Sequence, residues 1–205
     1  MAKRYQTVLL LGMPGSGKGT QGAMIGAVPG FHHLACGDVF RSLDRESELG
    51  KTFLHYSSRG ELVPDDLTVK MWAENTHART VLSIYRPAKD LLVLDGIPRN
   101  LKQAEMMDEY IEVHKIIHLV ARDLDAMVER MKKRAEQQKR HDDAKEDVIR
   151  NRFRVYQDET APVLGHYPTD LVTEIDAMGS PAEVFARVLD VLAPIQKKLF
   201  GNVLT

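Results

Sequence analysis

Five short apolar runs punctuate the chain, at residues 7–11, 31–35, 91–94, 116–120 and 171–175. The third and fourth are almost continuously apolar, the pattern of parallel strands covered on both faces. Between the runs, apolar positions recur at helical spacing. That spacing predicts helices over 18–27, 66–80, 101–113, 123–138 and 143–163. The 101–113 segment rests on Leu101, Ala104, Met107, Tyr110 and Ile111. Pro64 suits the start of the 66–80 helix. Pro181 opens a last helix with Val184, Phe185, Val188, Leu189 and Leu192 on one face. Strands alternating with helices predict an α/β fold: a three-layer, doubly wound parallel sheet of five strands. Ligands in such sheets sit beyond the carboxyl ends of the strands. Residues 36–64, broken by Gly50 and Gly60, and the basic stretch 130–141 fit the sheet poorly. Both read as insertions over its ligand-binding edge, within one domain spanning 1–205.

The first apolar run ends in Gly12-Met13-Pro14-Gly15-Ser16-Gly17-Lys18-Gly19-Thr20. Such glycine density lets the backbone approach a ligand closely and take conformations closed to other residues. The loop's N–H groups then converge on phosphate oxygens, with a helix start behind them. Lys18 adds a positive charge for β- and γ-phosphates. The spacing from Gly12 to Lys18 is that of the phosphate loop of P-loop nucleotide-binding proteins, and Gly19 stands where such loops usually have Ser or Thr. At the end of the third run, Asp95 is placed to hold Mg2+ through water, because magnesium keeps much of its hydration shell. Arg99, four residues on, offers a planar fork for a phosphate.

Charge refines the picture. The chain of 205 residues carries a formal net charge of −1, so no global basic field points to nucleic acid. Its basic residues cluster instead. Arg130 and Arg134 share a helix face, Arg140 precedes Asp142-Asp143, and Arg152 lies on the next helix. One cysteine excludes an intrachain disulfide and fits a reducing compartment. No apolar run approaches membrane-spanning length, and the polar start 1–6 does not look like a signal peptide. A soluble, cytoplasmic, monomeric protein with no membrane or nucleic-acid partner is expected.

Several strings resemble the adenylate kinase family of nucleoside monophosphate kinases. They are Gly12 to Gln21, Cys36-Gly37-Asp38-x-x-Arg41, Gly60 to Asp65, Leu94-Asp95-Gly96-Ile97-Pro98-Arg99 with Gln103, and the basic stretch with its flanks. The resemblance runs from about residue 8 to 192, in order. It implies reversible Mg2+-dependent phosphoryl transfer from ATP to AMP. Residues 36–64 then form a monophosphate-binding insertion, and 130–141 a lid too short for the zinc site of long-lid relatives. It further implies that Gly15, Ser16, Gly17, Lys18, Gly19 and Thr20 bind ATP, with Arg130, Arg134 and Ser180. The AMP side falls to Cys36, Arg41, Glu61, Leu62 and Val63, then Gly96, Ile97, Pro98, Arg99 and Gln103. Arg140 and Arg152 lie between the nucleotides, and Lys18, Arg99, Arg134, Arg140 and Arg152 carry the catalytic charge.

One departure bears on the base. Ala35-Cys36 stands where the family has Ser-Thr, and a thiol is the weaker hydrogen-bonding group. A UMP/CMP kinase, or a kinase for another monophosphate, therefore remains an alternative. A P-loop hydrolase and a non-catalytic nucleotide-binding protein are more distant ones.

Overall fold

The computed structural model describes residues 4–137 and 145–204. Five parallel strands form one sheet in the order β2-β3-β1-β4-β5. They are β1 (Tyr5–Gly12), β2 (Phe31–Ala35), β3 (Leu91–Asp95), β4 (Ile111–Val120) and β5 (Val172–Asp176). Side chains alternate across the sheet, which accounts for the unbroken apolar runs. Leu9, Leu11, Leu34, Leu92, Leu94 and Ile116 pack on one face with Trp72 of α4 (Asp65–Val81). Val8, Leu10, Leu91, Val93, Ile117 and Leu119 pack on the other. There they meet Ile25 of α1 (Lys18–Gly26) and Val184, Val188 and Leu192 of α8 (Pro181–Phe200).

Two helices depart from the sequence pattern. The expected helix 101–113 is α5 (Leu101–Met107) followed by the start of β4. Tyr110 and Ile111 lie one turn beyond Met107, so helical spacing admits them. Yet the Tyr5 N–H donates to the Tyr110 carbonyl at 2.8 Å, and Ile111 pairs with Tyr5. β-branched Ile111 and Val113 thus join the sheet, with a bulge at His114 that shifts the register between Thr7 and Val8. The expected helix 143–163 is α7 (Glu146–Val155), a π turn (Tyr156–Thr160) and a 3-10 turn (Ala161–Gly165). Pro162 has no N–H to continue an α-helical ladder. Residue 143 lies outside the described residues.

The irregular stretch after β2 holds α2 (Cys36–Arg41) and α3 (Glu48–Ser57). Gly60 turns the chain back toward α4 with φ 72°. A Cβ there would lie 2.8 Å from Arg152 Cγ and 2.9 Å from the Val148 carbonyl oxygen. Asn151 Nδ2 donates to the Arg59 carbonyl at 2.7 Å, so this loop is tied to α7. α6 (Leu124–Gln137) leads into the basic stretch, with Asp123 capping its start through the Ala126 N–H at 2.9 Å.

Candidate active site

A chamber of about 740 Å³ opens along the carboxyl edge of β1, β2 and β3. Its floor is the loop between β1 and α1. Gly17 occupies the N-cap position of α1 in the left-handed region (φ 98°), and no side chain caps the helix. The first-turn amides are therefore left for a ligand. Gly15, Ser16, Gly17, Lys18, Gly19 and Thr20 all line the chamber. The Lys18 ammonium folds back over the loop, donating to the Gly12 carbonyl and, at 3.2 Å, to that of Met13.

The chamber's charge is unusual. Arg41, Arg99, Arg130, Arg134 and Arg152 line it together with Lys18. Burial lowers the Lys18 pKa to about 8. Asp95 opposes that shift, while Arg99, Arg134 and Arg152 reinforce it. Burial also lowers the Arg99 pKa; Cys36 and Asp95 oppose it, and Arg41 and Arg134 add to it. Cations that depress one another across a shared space are relieved by a polyanion between them. Arg99 Nε donates to the Gly96 carbonyl at 2.9 Å, which holds the guanidinium just beyond the end of β3.

Asp95 ends β3 opposite Ala35, at the chamber wall. His33 Nε2 stands 4.0 Å from its Oδ2. Two glycines of α1 make room for that ring. A Cβ on Gly22 would collide with it, and one on Gly26 would come within 2.8 Å of His33 Cβ. Burial lowers the His33 pKa, with Asp95 the main opposing influence. A lone carboxylate oxygen facing a phosphate loop suits a hard cation that brings its own water and phosphate oxygens. Among the described residues, no group of three or more His, Cys, Asp or Glu side chains could form an all-protein metal cage.

At the other end, Phe40 stacks on Phe53 with centroids 5.4 Å apart, beside Val63, Thr68 and Gln103. Cys36, Glu61, Leu62, Gly96 and Pro98 also line this end. The Cys36 thiol is 3 % exposed, and burial pushes its pKa up to about 11, so it stays neutral. Ile97 does not reach the chamber; it is fully buried in the core. Ser180 lies outside the lining as well. Its hydroxyl donates to Glu183 Oε2 at 2.8 Å and accepts from the Glu183 N–H, which closes a capping box on α8. Arg140 lies outside the described residues.

Phe40, Phe53, Thr68, Tyr156 and Thr160 also line the chamber, although none of them is among the residues the sequence assigns to a nucleotide. Their role in shaping the site follows from packing. The Thr160 hydroxyl donates to the Arg99 carbonyl at 2.7 Å, which fastens the π turn to the Arg99 segment.

The profile of the adenylate kinase family matches residues 10–172. The chain belongs to the adenylate kinase family. It is 38% identical to an adenylate kinase of Mycobacterium sp. (strain MCS) over 192 residues, covering 90% of this chain and 98% of that one. An adenylate kinase of Corynebacterium diphtheriae is 39% identical over 191 residues, covering 90% and 98%. One of Thermus thermophilus is 34% identical over 189 residues, covering 89% and 95%. Membership of the adenylate kinase family makes the chain a nucleotide-dependent phosphotransferase, and its α/β sheet is the one the sequence pattern predicts. No helix among the described residues is long and apolar enough to cross a membrane.

Proposed function

We propose that the chain catalyses reversible phosphoryl transfer from ATP to AMP, giving two ADP. The observation that carries this reading is the continuity of the chamber: the phosphate loop and the 36–64 insertion open into one space lined by arginines from both sides. In the forward direction an AMP phosphate oxygen attacks the γ-phosphorus. The bond to the β–γ bridging oxygen breaks, and that oxygen leaves on ADP. The nucleophile is already an anion, so no general base is needed. The residues position two nucleotides in line and neutralise charge.

In this reading the Gly15–Thr20 amides and Lys18 hold the β- and γ-phosphates, with Arg130 and Arg134 on the ATP side. Arg41 and Arg99 hold the AMP phosphate, and Arg152 stands between the two nucleotides with Arg140. Cys36, Glu61, Leu62, Val63, Gly96, Pro98 and Gln103 surround the AMP. Asp95 is the residue that would hold Mg2+, through water, and the ion would supply further neutralisation of phosphate charge. The insertion 36–64 and the stretch 130–141 close over the substrates and keep water from the γ-phosphate. A monomer in the cytoplasm completes the proposal.

A coupled assay with Mg-ATP and AMP, UMP, CMP, GMP or dTMP, with a control lacking monophosphate, tests the reading. AMP is expected to be the preferred substrate. Phosphate released at an undiminished rate without any monophosphate would overturn it.

Lys18 gives a second expectation. In the free enzyme its pKa is about 8, and a bound triphosphate raises it. Above the free-state value ATP must therefore bind together with a proton. Affinity then weakens with rising pH, by up to about tenfold per unit until the pKa of the complex is reached. Calorimetry at pH near 9 in buffers of different ionisation enthalpy is expected to show proton uptake that is lost in Lys18→Met. Equal uptake in the variant would mean that another group titrates.

A further inference from the structure

We propose that Asp65 sets the base specificity of the monophosphate subsite by fixing the amide of Gln103 in one orientation. The inference rests on the proposed function, which puts Gln103 on the AMP side, where its amide suits the edge of adenine. Gln103 is 1 % exposed and lines the chamber. Its amide offers two lone pairs on oxygen and two hydrogens on nitrogen. The Arg99 N–H donates to Oε1 at 2.8 Å, and Nε2 donates to Asp65 Oδ1 at 2.9 Å. Turning the amide over would set Nε2 against the Arg99 N–H and Oε1 against the carboxylate. Donor would face donor and acceptor would face acceptor, at a side chain that is almost wholly buried.

Asp65 is itself held. Asn100 Nδ2 donates to the same Oδ1 at 2.8 Å, and the Lys102 ammonium lies 3.9 Å from Oδ2. The carboxylate sits in the first turn of α4, where the helix dipole favours negative charge. Asn100 also caps α5, accepting from the Gln103 N–H at 2.8 Å. The starts of α4 and α5 are thereby joined around one amide.

One lone pair and one N–H remain on Gln103 for a ligand. A 6-aminopurine presents an N–H donor beside the N1 acceptor. A 6-oxopurine presents an oxygen acceptor beside an N1–H donor, the reverse order. A free amide could turn over and pair with either. A fixed one pairs with a single order and leaves the other base with buried polar groups unmatched. Asp65 is thus a positioning residue for specificity. It acts through Gln103 and is separate from the phosphate-binding cations.

The test is kcat/KM for AMP and for IMP at saturating Mg-ATP, in wild type, Asp65→Ala, Asp65→Asn and Gln103→Leu, with KM for Mg-ATP and Tm alongside. The AMP:IMP ratio is expected to fall about tenfold in Asp65→Ala, the loss that one buried mismatch implies. KM for Mg-ATP is expected to stay within about twofold, as for a change that spares ATP contacts. Asp65→Asn, whose carbonyl oxygen still accepts, is expected to keep most of the ratio. A merely structural role would lower Tm and both rates together, leaving the ratio unmoved, and would overturn the proposal. So would a wild-type ratio in Gln103→Leu. No AMP turnover in wild type would overturn the phosphotransfer reading and the specificity role together. AMP turnover with an unmoved ratio in Asp65→Ala would overturn the specificity role alone. If Asp65→Ala does not fold, the side-chain amide of wild-type Gln103 decides by NMR: slow exchange with water is expected at the hydrogen that faces Asp65, and exchange of both hydrogens as fast as in a solvent-exposed glutamine would overturn it.

Discussion

Lys18→Met is expected to lower kcat by about a hundred- to a thousandfold or more while leaving the protein folded. Removing one preorganised donor from a developing anion costs about this much in acyl-transfer sites. Here the loss compounds, because Lys18 is the only lysine of the loop and sits on the carbonyls of Gly12 and Met13, at the root of the chamber. Its folded-state pKa of about 8 lies below the ordinary 10.5. Below pH 8 the folded enzyme therefore holds a charge that its surroundings disfavour, and the unfolded chain holds the same charge in water. The sign follows: between those two values the unfolded state binds more protons, so this group's contribution to stability rises with pH. Methionine removes the cost along with the charge. Tm of the nucleotide-free variant at pH 7 is expected to be equal to or above wild type, while the coupled assay shows the loss of turnover. A wild-type rate in the folded variant would remove the loop lysine from the mechanism.

How far the sequence reveals this site depends on where each residue's partners lie. β3 and the second half of β4 are legible because burial on both faces leaves an almost continuous apolar run. The phosphate loop is legible because glycine spacing, lysine and a preceding strand fall within one short string. Arg41, Arg99, Arg130, Arg134 and Arg152 are legible as a set, and the fold brings them to one chamber. The start of β4 is not, because Tyr110 and Ile111 satisfy helical spacing from Met107, and only pairing with Tyr5 decides between the two periods. Nor is the environment of the arginines and of Gln103. Asp65 meets Gln103 across 38 positions, and Thr160 meets Arg99 across 61. An aspartate opening a helix and a threonine two residues ahead of a proline have ordinary local explanations. Their second use exists only once the sheet has assembled. Ser180 shows the converse: its local explanation, the capping box, accounts for its hydroxyl in full.

Arg99→Ala is expected to raise KM for AMP by about tenfold or more and to lower kcat, with KM for Mg-ATP little changed. The substitution is unusually clean because the backbone at 99 carries two contacts that alanine keeps. Its N–H donates to Gln103 Oε1, and its carbonyl accepts from the Thr160 hydroxyl. The base subsite and the π turn therefore remain fastened, and only the guanidinium leaves. The bond it forms to the Gly96 carbonyl is lost as well, at a residue that lines the chamber. Burial and neighbouring arginines already disfavour the Arg99 charge in the free enzyme, so its removal is not expected to lower Tm. Monophosphate affinity and turnover should fall together, because the fork that orients the attacking phosphate also stabilises it as charge moves to ADP. Initial-rate kinetics with each nucleotide varied in turn will show this split. An equal loss of affinity for ATP would place Arg99 on the other nucleotide and reverse the orientation of the whole chamber.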